Sequence, residues 1–120
     1  MIHIGTDIVN ISRFNEIISR NGRKFLSRVF TENEQIACND RETPYIHYAG
    51  KFAAKEAVKK AILSSENGSS LSFKHIEIHS KNNGAPIVII GKNDNYRENL
   101  QVSISHDKDY ATATAILQIK

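Results

Sequence analysis

The sequence predicts an α+β protein in which a mainly antiparallel sheet packs against one long central helix. Three observations lead to this prediction. Residues 45–63 form the longest uninterrupted helical pattern in the chain of 120 residues. Residues 2–9 are apolar and strand-like, and most stretches after residue 71 also read as strands separated by turns. Residues 110–119 alternate small apolar side chains with polar ones, which is the period of a strand, so we expect helix and sheet to share one core.

Length and composition fit one domain spanning residues 1–120. No apolar run is long enough to cross a membrane, and the N-terminus lacks the basic region and cleavage site of a signal peptide. The single Cys38 cannot form an internal disulfide, which predicts a cytoplasmic protein with a structural or surface thiol. The net charge of +3 indicates no particular partner by itself, although basic patches attract phosphates or acidic proteins.

The first strand is predicted at residues 2–9, and its alternation places Asp7 on the face opposite three isoleucines, Ile2, Ile4 and Ile8. Asn10 or Ser12 is the expected cap of the helix that follows, because both side chains accept hydrogen bonds from free backbone N–H groups. That helix should end near Ser19, since Asn-Gly at residues 21–22 is a turn signal.

Two further short helices precede the long one. Residues 23–30 offer apolar side chains at helical spacing. Thr31 and Glu34 then have the spacing of a capping box, which predicts a helix beginning after Thr31 and ending in the polar run 39–43.

The long helix begins just after Pro44, where a missing N–H group costs nothing. Glu56 falls in the middle of its apolar stripe and therefore needs a partner. Lys60, one turn later, and a metal ion are both possible partners. A strip of small residues should let another backbone approach closely, and a row of lysines should form an exposed or phosphate-facing edge. The small residues are Gly50, Ala53, Ala54, Ala57 and Ala61, and the lysines are Lys51, Lys55 and Lys59.

The second half of the chain reads as strands and turns. The apolar phase changes within residues 71–79, which suggests a β-bulge. Strands are expected at 86–90, 102–106 and 110–119, with turns at 82–84 and 107–109 and loops at 64–70 and 91–95. The alanines of the last strand form a small face on which the long helix could lie.

Asp7 and Glu56 are candidate ligands for Mg²⁺, which prefers oxygen ligands and often binds through one or two carboxylates. Their separation in sequence cannot place them together, and the alternative is an Asp near a strand end with a Glu paired to Lys60. His106 lies at a strand end before a turn, where a histidine is usually exposed or satisfied.

Several short motifs together resemble one family. GTDIV at residues 5–9, KFAAKEA at 51–57, GAP at 84–86, and VSISHD at 102–107 followed by YA at 110–111 are similar to holo-acyl-carrier-protein synthase. This is the short-chain class of 4′-phosphopantetheinyl transferases. The motifs occur in the family's order and spacing and span nearly the whole chain.

The resemblance implies transfer of the phosphopantetheine arm of coenzyme A (CoA) to a serine of apo acyl carrier protein, with release of adenosine 3′,5′-bisphosphate. It implies that Asp7 and Glu56 bind Mg²⁺ together with the CoA pyrophosphate, and that Lys60 lies near the β-phosphate. Our hypothesis for the general base is Glu56 or Asp7, acting directly or through a metal-bound water. His106 would contact the nucleotide phosphates, and Lys51 and Lys55 would belong to the same CoA-binding edge.

The resemblance also implies partners for the chain. It indicates a homotrimer with each active site between neighbouring subunits, and an acidic carrier protein docking on the first helices. Arg13 is the docking residue carried over from the family, and the other candidates are Arg20, Arg23, Lys24, Phe25 and Arg28. For these others, the alternative is an ordinary solvated face.

Three positions depart from the family pattern. Lys51 stands where many members have Arg, and a lysine cannot make a planar bidentate phosphate contact. The glycine-rich turn after the long helix is absent, and Ala85 replaces the Lys of a GKP motif.

Two other functions stay open from the sequence. A small basic RNA-binding module is supported by the computed pI of about 9.1 and the lysines, but the sequence lacks an RNP-like motif. A non-catalytic CoA-binding subunit would keep His106 and the lysines without requiring both Asp7 and Glu56.

Overall fold

The computed structural model describes residues 1–65, 71–91 and 99–119. Its helices are α1 (Ile11–Val29), α2 (Glu32–Asn39) and α3 (Pro44–Ser64), and a 3₁₀ turn covers Phe73–His75. Its strands are β1 (Ile2–Asn10), β2 (Ile76–Ser80), β3 (Pro86–Ile90), β4 (Leu100–His106) and β5 (Tyr110–Gln118). Most of the loops predicted at 64–70 and 91–95 lies outside the described residues.

The predicted α+β architecture is confirmed. Helix α3 packs on a three-stranded antiparallel sheet of order β1-β5-β4, while β2 and β3 pair as a separate antiparallel hairpin. Buried side chains from the helices and both sheets form a continuous hydrophobic cluster. Within the described ranges, no helix is both long and apolar enough to cross a lipid bilayer.

Small residues bring α3 close to the sheet, as the sequence predicts. A Cβ atom added to Gly5 would lie 1.9 Å from the carbonyl oxygen of Ala57, so β1 and α3 touch backbone to backbone. The alanines of β5 are buried beneath the same helix, as are the small residues of α3 itself. This contact fixes Asp7, two residues after Gly5, relative to Glu56, which directly precedes Ala57.

Strand β1 presents its odd-numbered residues to the core and its isoleucines to solvent. Asp7 lies on the face opposite them, as predicted, with Gly5 and Val9 buried on that same face. The outer surface of β1 and β5 forms what we call the isoleucine face, made of Ile2, Ile4, Ile8 and Ile116, which are 59%, 57%, 64% and 40% exposed.

Local signals in the N-terminal half act as predicted. The Asn10 side chain accepts a hydrogen bond from the Arg13 N–H and caps α1. Gly22 interrupts that helix with φ 51° and ψ −129°, so the expected break is present although the two segments run on as one kinked helix. Thr31 and Glu34 form the predicted capping box.

The bulge predicted within residues 71–79 is wrong. Phe73–His75 forms a 3₁₀ turn, and strand alternation begins only at Ile76. The change of apolar phase therefore marks a change of secondary structure, not an extra residue in a strand. The turn at 107–109 is confirmed, since Asp107 N–H donates to the Tyr110 carbonyl at 2.9 Å.

Lys55 is fully buried, so its predicted contact with CoA is wrong. Its Nζ lies 2.5 Å from Glu34 Oε1 and donates to the carbonyls of Val29 and Phe73 at 2.6 and 3.0 Å. The other oxygen of Glu34 accepts the Ile78 N–H at 2.8 Å. Burial lowers the pKa of Lys55, and the adjacent Glu34 carboxylate opposes that shift. Lys55 therefore joins the helices and β2 in the interior.

Cys38 also belongs to the interior. The side chain is fully buried, and burial raises the pKa of its thiol to about 11. A thiol in this state is a structural group, which decides between the two expectations for this cysteine.

Candidate active site

Asp7 and Glu56 line one cleft, although they are far apart in sequence. The cleft has a volume of about 380 Å³ and lies between β1, α1 and α3. We call it the carboxylate cleft, and its lining is Asp7, Ile8, Val9, Asn10, Arg13, Phe14, Ile17, Phe52 and Glu56. The packing of Gly5 against α3 positions both carboxylates on its wall.

Lys60 pairs with Asp7 and not with Glu56. Its Nζ lies 3.3 Å from Asp7 Oδ1 and donates to the Thr6 carbonyl at 2.9 Å. The Lys60 side chain is 52% exposed and that of Asp7 is 16% exposed. Across the described part of the chain, no ion pair involves Glu56. The alternative in which Lys60 satisfies Glu56 is therefore wrong.

The donor set of this cleft fits a hard divalent cation that keeps most of its coordination shell for substrate and water. Two carboxylates face the same space, and Mg²⁺ commonly uses one or two protein carboxylates together with phosphate oxygens. In the ranges described, no cluster of three or more His, Cys, Asp or Glu side chains could hold a metal by itself. The two carboxylates would leave room in the coordination shell of Mg²⁺ for phosphate oxygens and water.

The basic side chains of α1 extend from the carboxylate cleft along the surface. Arg13 is exposed and lines the cleft itself, whereas Arg20, Arg23, Lys24 and Arg28 are exposed farther along the helix. Phe25 is half-buried and packs against Phe14 and Phe52, with ring centroids 5.6 and 6.3 Å apart. It supports the cleft wall from behind.

Ile17 is one of the apolar residues at helical spacing in α1, but its place in the site was not predicted from the sequence. It is 40% exposed and lines the carboxylate cleft. The helical repeat contained the signal, because Ile17 falls about 100° from Ile18 and about 60° from Phe14 and therefore lies at the edge of the apolar stripe.

His106 and Lys51 lie in a second pocket. It has a volume of about 210 Å³ and is lined by four basic side chains, Arg41, His47, Lys51 and His106, which give it the name cationic pocket. The rest of its lining is Ile46, Gly50, Ile78, Ser80, Gly84, Pro86 and Ile104. Lys51 Nζ donates to the Ile78 carbonyl at 2.7 Å. The predicted CoA-binding residues thus occupy two separate places on one chain.

Comparison with known proteins identifies the family. The family model of the 4′-phosphopantetheinyl transferase superfamily matches residues 3–115. The chain belongs to this superfamily. Within it, the chain is 44% identical over 119 residues to a holo-[acyl-carrier-protein] synthase of Chlamydia pneumoniae, covering 97% of this chain and 96% of the relative. It is 45% identical over 116 residues to a holo-[acyl-carrier-protein] synthase of Protochlamydia amoebophila, covering 94% of each.

Solved structures of the superfamily have the same fold. The ACPS–CoA complex of Chronobacterium ammoniagenes superposes with a TM-score of 0.85 at 30% identity, covering 100% of this chain and 98% of that one. The Helicobacter pylori holo-[acyl-carrier-protein] synthase in complex with coenzyme A gives a TM-score of 0.80 at 36% identity, covering 96% and 99%. The family resemblance and the fold read from the sequence are both confirmed.

Proposed function

We propose that this chain transfers 4′-phosphopantetheine from CoA to a serine of apo acyl carrier protein and releases adenosine 3′,5′-bisphosphate. The observation that carries the proposal is the carboxylate cleft, where Asp7, Glu56 and Arg13 converge. Relatives named holo-[acyl-carrier-protein] synthase and related structures holding CoA support the same activity.

The chemistry needs a proton acceptor beside the reacting phosphate. The serine oxygen forms a bond to the β-phosphorus of CoA, the bond to the adenosine bisphosphate oxygen breaks, and the serine proton passes to a base. Glu56 suits this role better than Asp7, because Lys60 already engages Asp7 Oδ1 whereas Glu56 has no ion-pair partner in the described ranges. Lys60 would place positive charge beside the phosphate oxygens.

Asp7 and Glu56 are the residues that would hold Mg²⁺. When bound, the ion would neutralise the charge of the pyrophosphate oxygens. Lys60 would orient Asp7 for this role through its contacts with Asp7 and the Thr6 carbonyl.

A mass assay tests the activity. The chain is incubated with CoA, Mg²⁺ and apo acyl carrier protein, and the carrier should gain the mass of one phosphopantetheine arm. EDTA should stop the reaction. RNA binding, or CoA binding without any change of carrier mass, would favour one of the two other functions considered above.

Glu56→Gln should abolish transfer while leaving the fold intact, because the amide is neither a base nor an anionic ligand. Glu32→Gln, on the exposed start of α2, is the matched control and should transfer at the wild-type rate. Full turnover by Glu56→Gln would refute the role given to this carboxylate.

The carrier protein would dock on the exposed basic face of α1. Arg13 stands closest to the chemistry because it lines the cleft, and Ile17 adds an exposed apolar contact beside it. Arg20, Arg23, Lys24 and Arg28 would extend the contact, since complementary charge speeds association with an acidic partner. Phe25 would contribute indirectly by supporting the wall that carries Arg13.

Charge reversal at Arg13 should raise the KM for the carrier protein about tenfold or more, and it should leave the affinity for CoA unchanged. Lys81→Glu makes the same change on an exposed turn away from α1 and serves as the control. An equal loss of carrier and CoA binding would point instead to misfolding.

A homotrimer would unite the two groups of CoA-binding residues. Lys51 and His106 lie in the cationic pocket, while Asp7, Glu56 and Lys60 lie at or beside the carboxylate cleft. The isoleucine face of β1 and β5 offers an exposed apolar surface beside Asp7 that a neighbouring subunit could cover.

The proposed location is the cytoplasm, where the buried Cys38 would stay a free thiol.

A further inference from the structure

Gly22 divides α1 into two arms. Residues 11–21, which we call the proximal arm, carry Arg13 to the carboxylate cleft, and residues 23–29, the distal arm, continue towards α2. Gly22 has φ 51° and ψ −129°, a conformation that residues with a Cβ atom rarely adopt. Among the described residues, no atom lies within 4 Å of a Cβ added there. The position therefore requires glycine for its backbone conformation and not for lack of space.

The core anchors each arm separately. In the proximal arm, Ile11 and Phe14 are buried. In the distal arm, Val29 is buried, and its carbonyl accepts a hydrogen bond from Lys55 Nζ at 2.6 Å. Phe25 of the distal arm packs on Phe14 of the proximal arm, with ring centroids 5.6 Å apart. Packing thus sets the angle between the arms, and Gly22 allows the chain to follow it.

The distal arm holds most of the positive charge of α1. The proximal arm has two basic residues and one acidic residue, whereas the distal arm has three basic residues and no acidic one. All three of these side chains are exposed, and within the described ranges none of them forms an ion pair. They are Arg23, Lys24 and Arg28.

We propose that Gly22 is a positioning residue for the carrier protein. Its positive φ holds the distal arm at the angle at which the three cations of that arm and Arg13 face one acidic partner. The inference rests on the proposed function, because it takes the acidic carrier protein as this partner. Gly22 itself touches neither substrate and acts only through the arm that it directs.

The arrangement of the charges explains why the angle matters. The serine of the carrier must enter the cleft beside Arg13, while the distal arm attracts another part of the acidic surface. Charges fixed in a complementary pattern favour encounters in the productive orientation and speed association. An L-alanine at residue 22 would strain the backbone, and a return to helical angles would relieve that strain by straightening α1. One arm would then move, so the two sets of cations would no longer match the same surface.

Three proteins test the inference. Gly22→Ala introduces the strain. D-alanine in place of Gly22, introduced by chemical ligation, adds the same methyl group without strain, because the mirror image of φ 51° and ψ −129° lies near the polyproline II region of L-residues. Gly91→Ala is the matched control, since Gly91 also has a positive φ, 39°, and lines neither the carboxylate cleft nor the cationic pocket. A thermal melt of each protein verifies folding.

The readouts are kcat, the KM for carrier and for CoA, and the affinity for apo carrier protein by fluorescence anisotropy, at about 0.05 M and about 0.5 M salt. Gly22→Ala should raise the KM and weaken the affinity for carrier about fivefold to tenfold at low salt. The kcat and the KM for CoA should not change, because both carboxylates lie on β1 and α3. High salt should remove most of the difference, since it screens exposed charges. The D-alanine protein and Gly91→Ala should match the wild type in carrier binding.

Wild-type affinity for carrier in a folded Gly22→Ala would overturn the inference. Equal losses in the D-alanine protein would also overturn it, because Gly22 would then act as a moving hinge. A loss that is the same at both salt concentrations and includes kcat would indicate general damage to the fold and would contradict a positioning role.

Carrier binding and transfer are measured separately, so the two proposals can fail separately. If the wild-type chain transfers the arm and only the comparison at residue 22 fails, the proposed function stands. If it binds the carrier without transfer, the function falls and the binding comparison still decides the role of Gly22. If it neither binds nor modifies the carrier, both fall together.

Discussion

Three lysines of α3 follow one another at helical spacing, yet each has a different environment. Lys51 borders the cationic pocket, Lys55 is buried against Glu34, and Lys59 stacks over the ring of Phe73 with its Nζ 4.0 Å from the centroid. The sequence could assign them to one edge of the helix, but it could not predict their depth. That depth depends on α2 and the turn before β2, which pack there only in the folded chain.

The buried pair gives a prediction about stability. Lys55→Met should lower the free energy of unfolding by about 3–5 kcal/mol, because it leaves the Glu34 carboxylate buried without its counterion. Urea denaturation measures the change. Lys74→Met, at an exposed position, should shift the midpoint only slightly.

The double variant tests the reason for that loss. Glu34→Gln combined with Lys55→Met removes both charges and should recover part of the lost stability, since no uncompensated ion remains inside. Strictly additive losses in the double variant would argue that the two side chains act independently.

At the scale of elements, the contact of β1 with α3 sets the geometry of the site. Gly5→Ala should destabilise the chain by about 1–3 kcal/mol or more, because its Cβ would collide with the backbone of Ala57. Transfer should fall even where the variant is fully folded, since Asp7 and Glu56 would move apart.

Gly50→Ala is the matched control for stability. Among the described residues, its Cβ would meet only the Ile104 side chain, at 3.2 Å, and alanine is the better helix former. Near-native stability is therefore expected in a thermal melt. Equal destabilisation by the two substitutions would show that the Gly5 contact has no special role.

The elements that could be predicted from sequence are those with local causes. Asn10 caps α1, Gly22 interrupts it and Thr31 begins α2 through contacts with residues a few positions away. The 3₁₀ turn before β2 was not predicted, because a bulge and a 3₁₀ turn can both produce the same change of apolar phase. Pairings across the fold, such as Lys60 with Asp7, had no local signal at all.

In the site, too, some residues could be predicted from local sequence and others could not. Asp7 and Glu56 could be selected from the sequence because each is a carboxylate in an apolar or small-residue element, and the structure places both in one cleft. Arg41 could not be found in this way, because it lies outside the helical repeat. His47 sits one turn before Lys51 on α3, so helical spacing held a signal for it that was not used.

At the scale of the whole molecule, one chain does not bring its two groups of site residues into one cavity. The carboxylate cleft and the cationic pocket have no lining residue in common. Four isoleucines on the outer face of β1 and β5 also remain exposed to solvent. A chain of this size has a small core, so burying this apolar area in an interface would add to its stability. Association of identical subunits through this face would bury the isoleucines and could bring the cleft of one subunit next to the pocket of another.

Mixed trimers test this arrangement directly. Glu56→Gln and His106→Ala should each be inactive as pure proteins, because one lacks the base and the other a phosphate contact. If each site joins the carboxylate cleft of one subunit to the cationic pocket of the next, trimers co-assembled from equal amounts should recover about one quarter of wild-type activity. Mass photometry would verify that trimers form. Trimers without recovered activity would place the complete site within one subunit.

Ile4→Glu places a charge on the isoleucine face and should prevent association of the subunits. If the site is shared between subunits, the variant should be a folded monomer without transfer activity, whereas an active monomer would contradict the shared site.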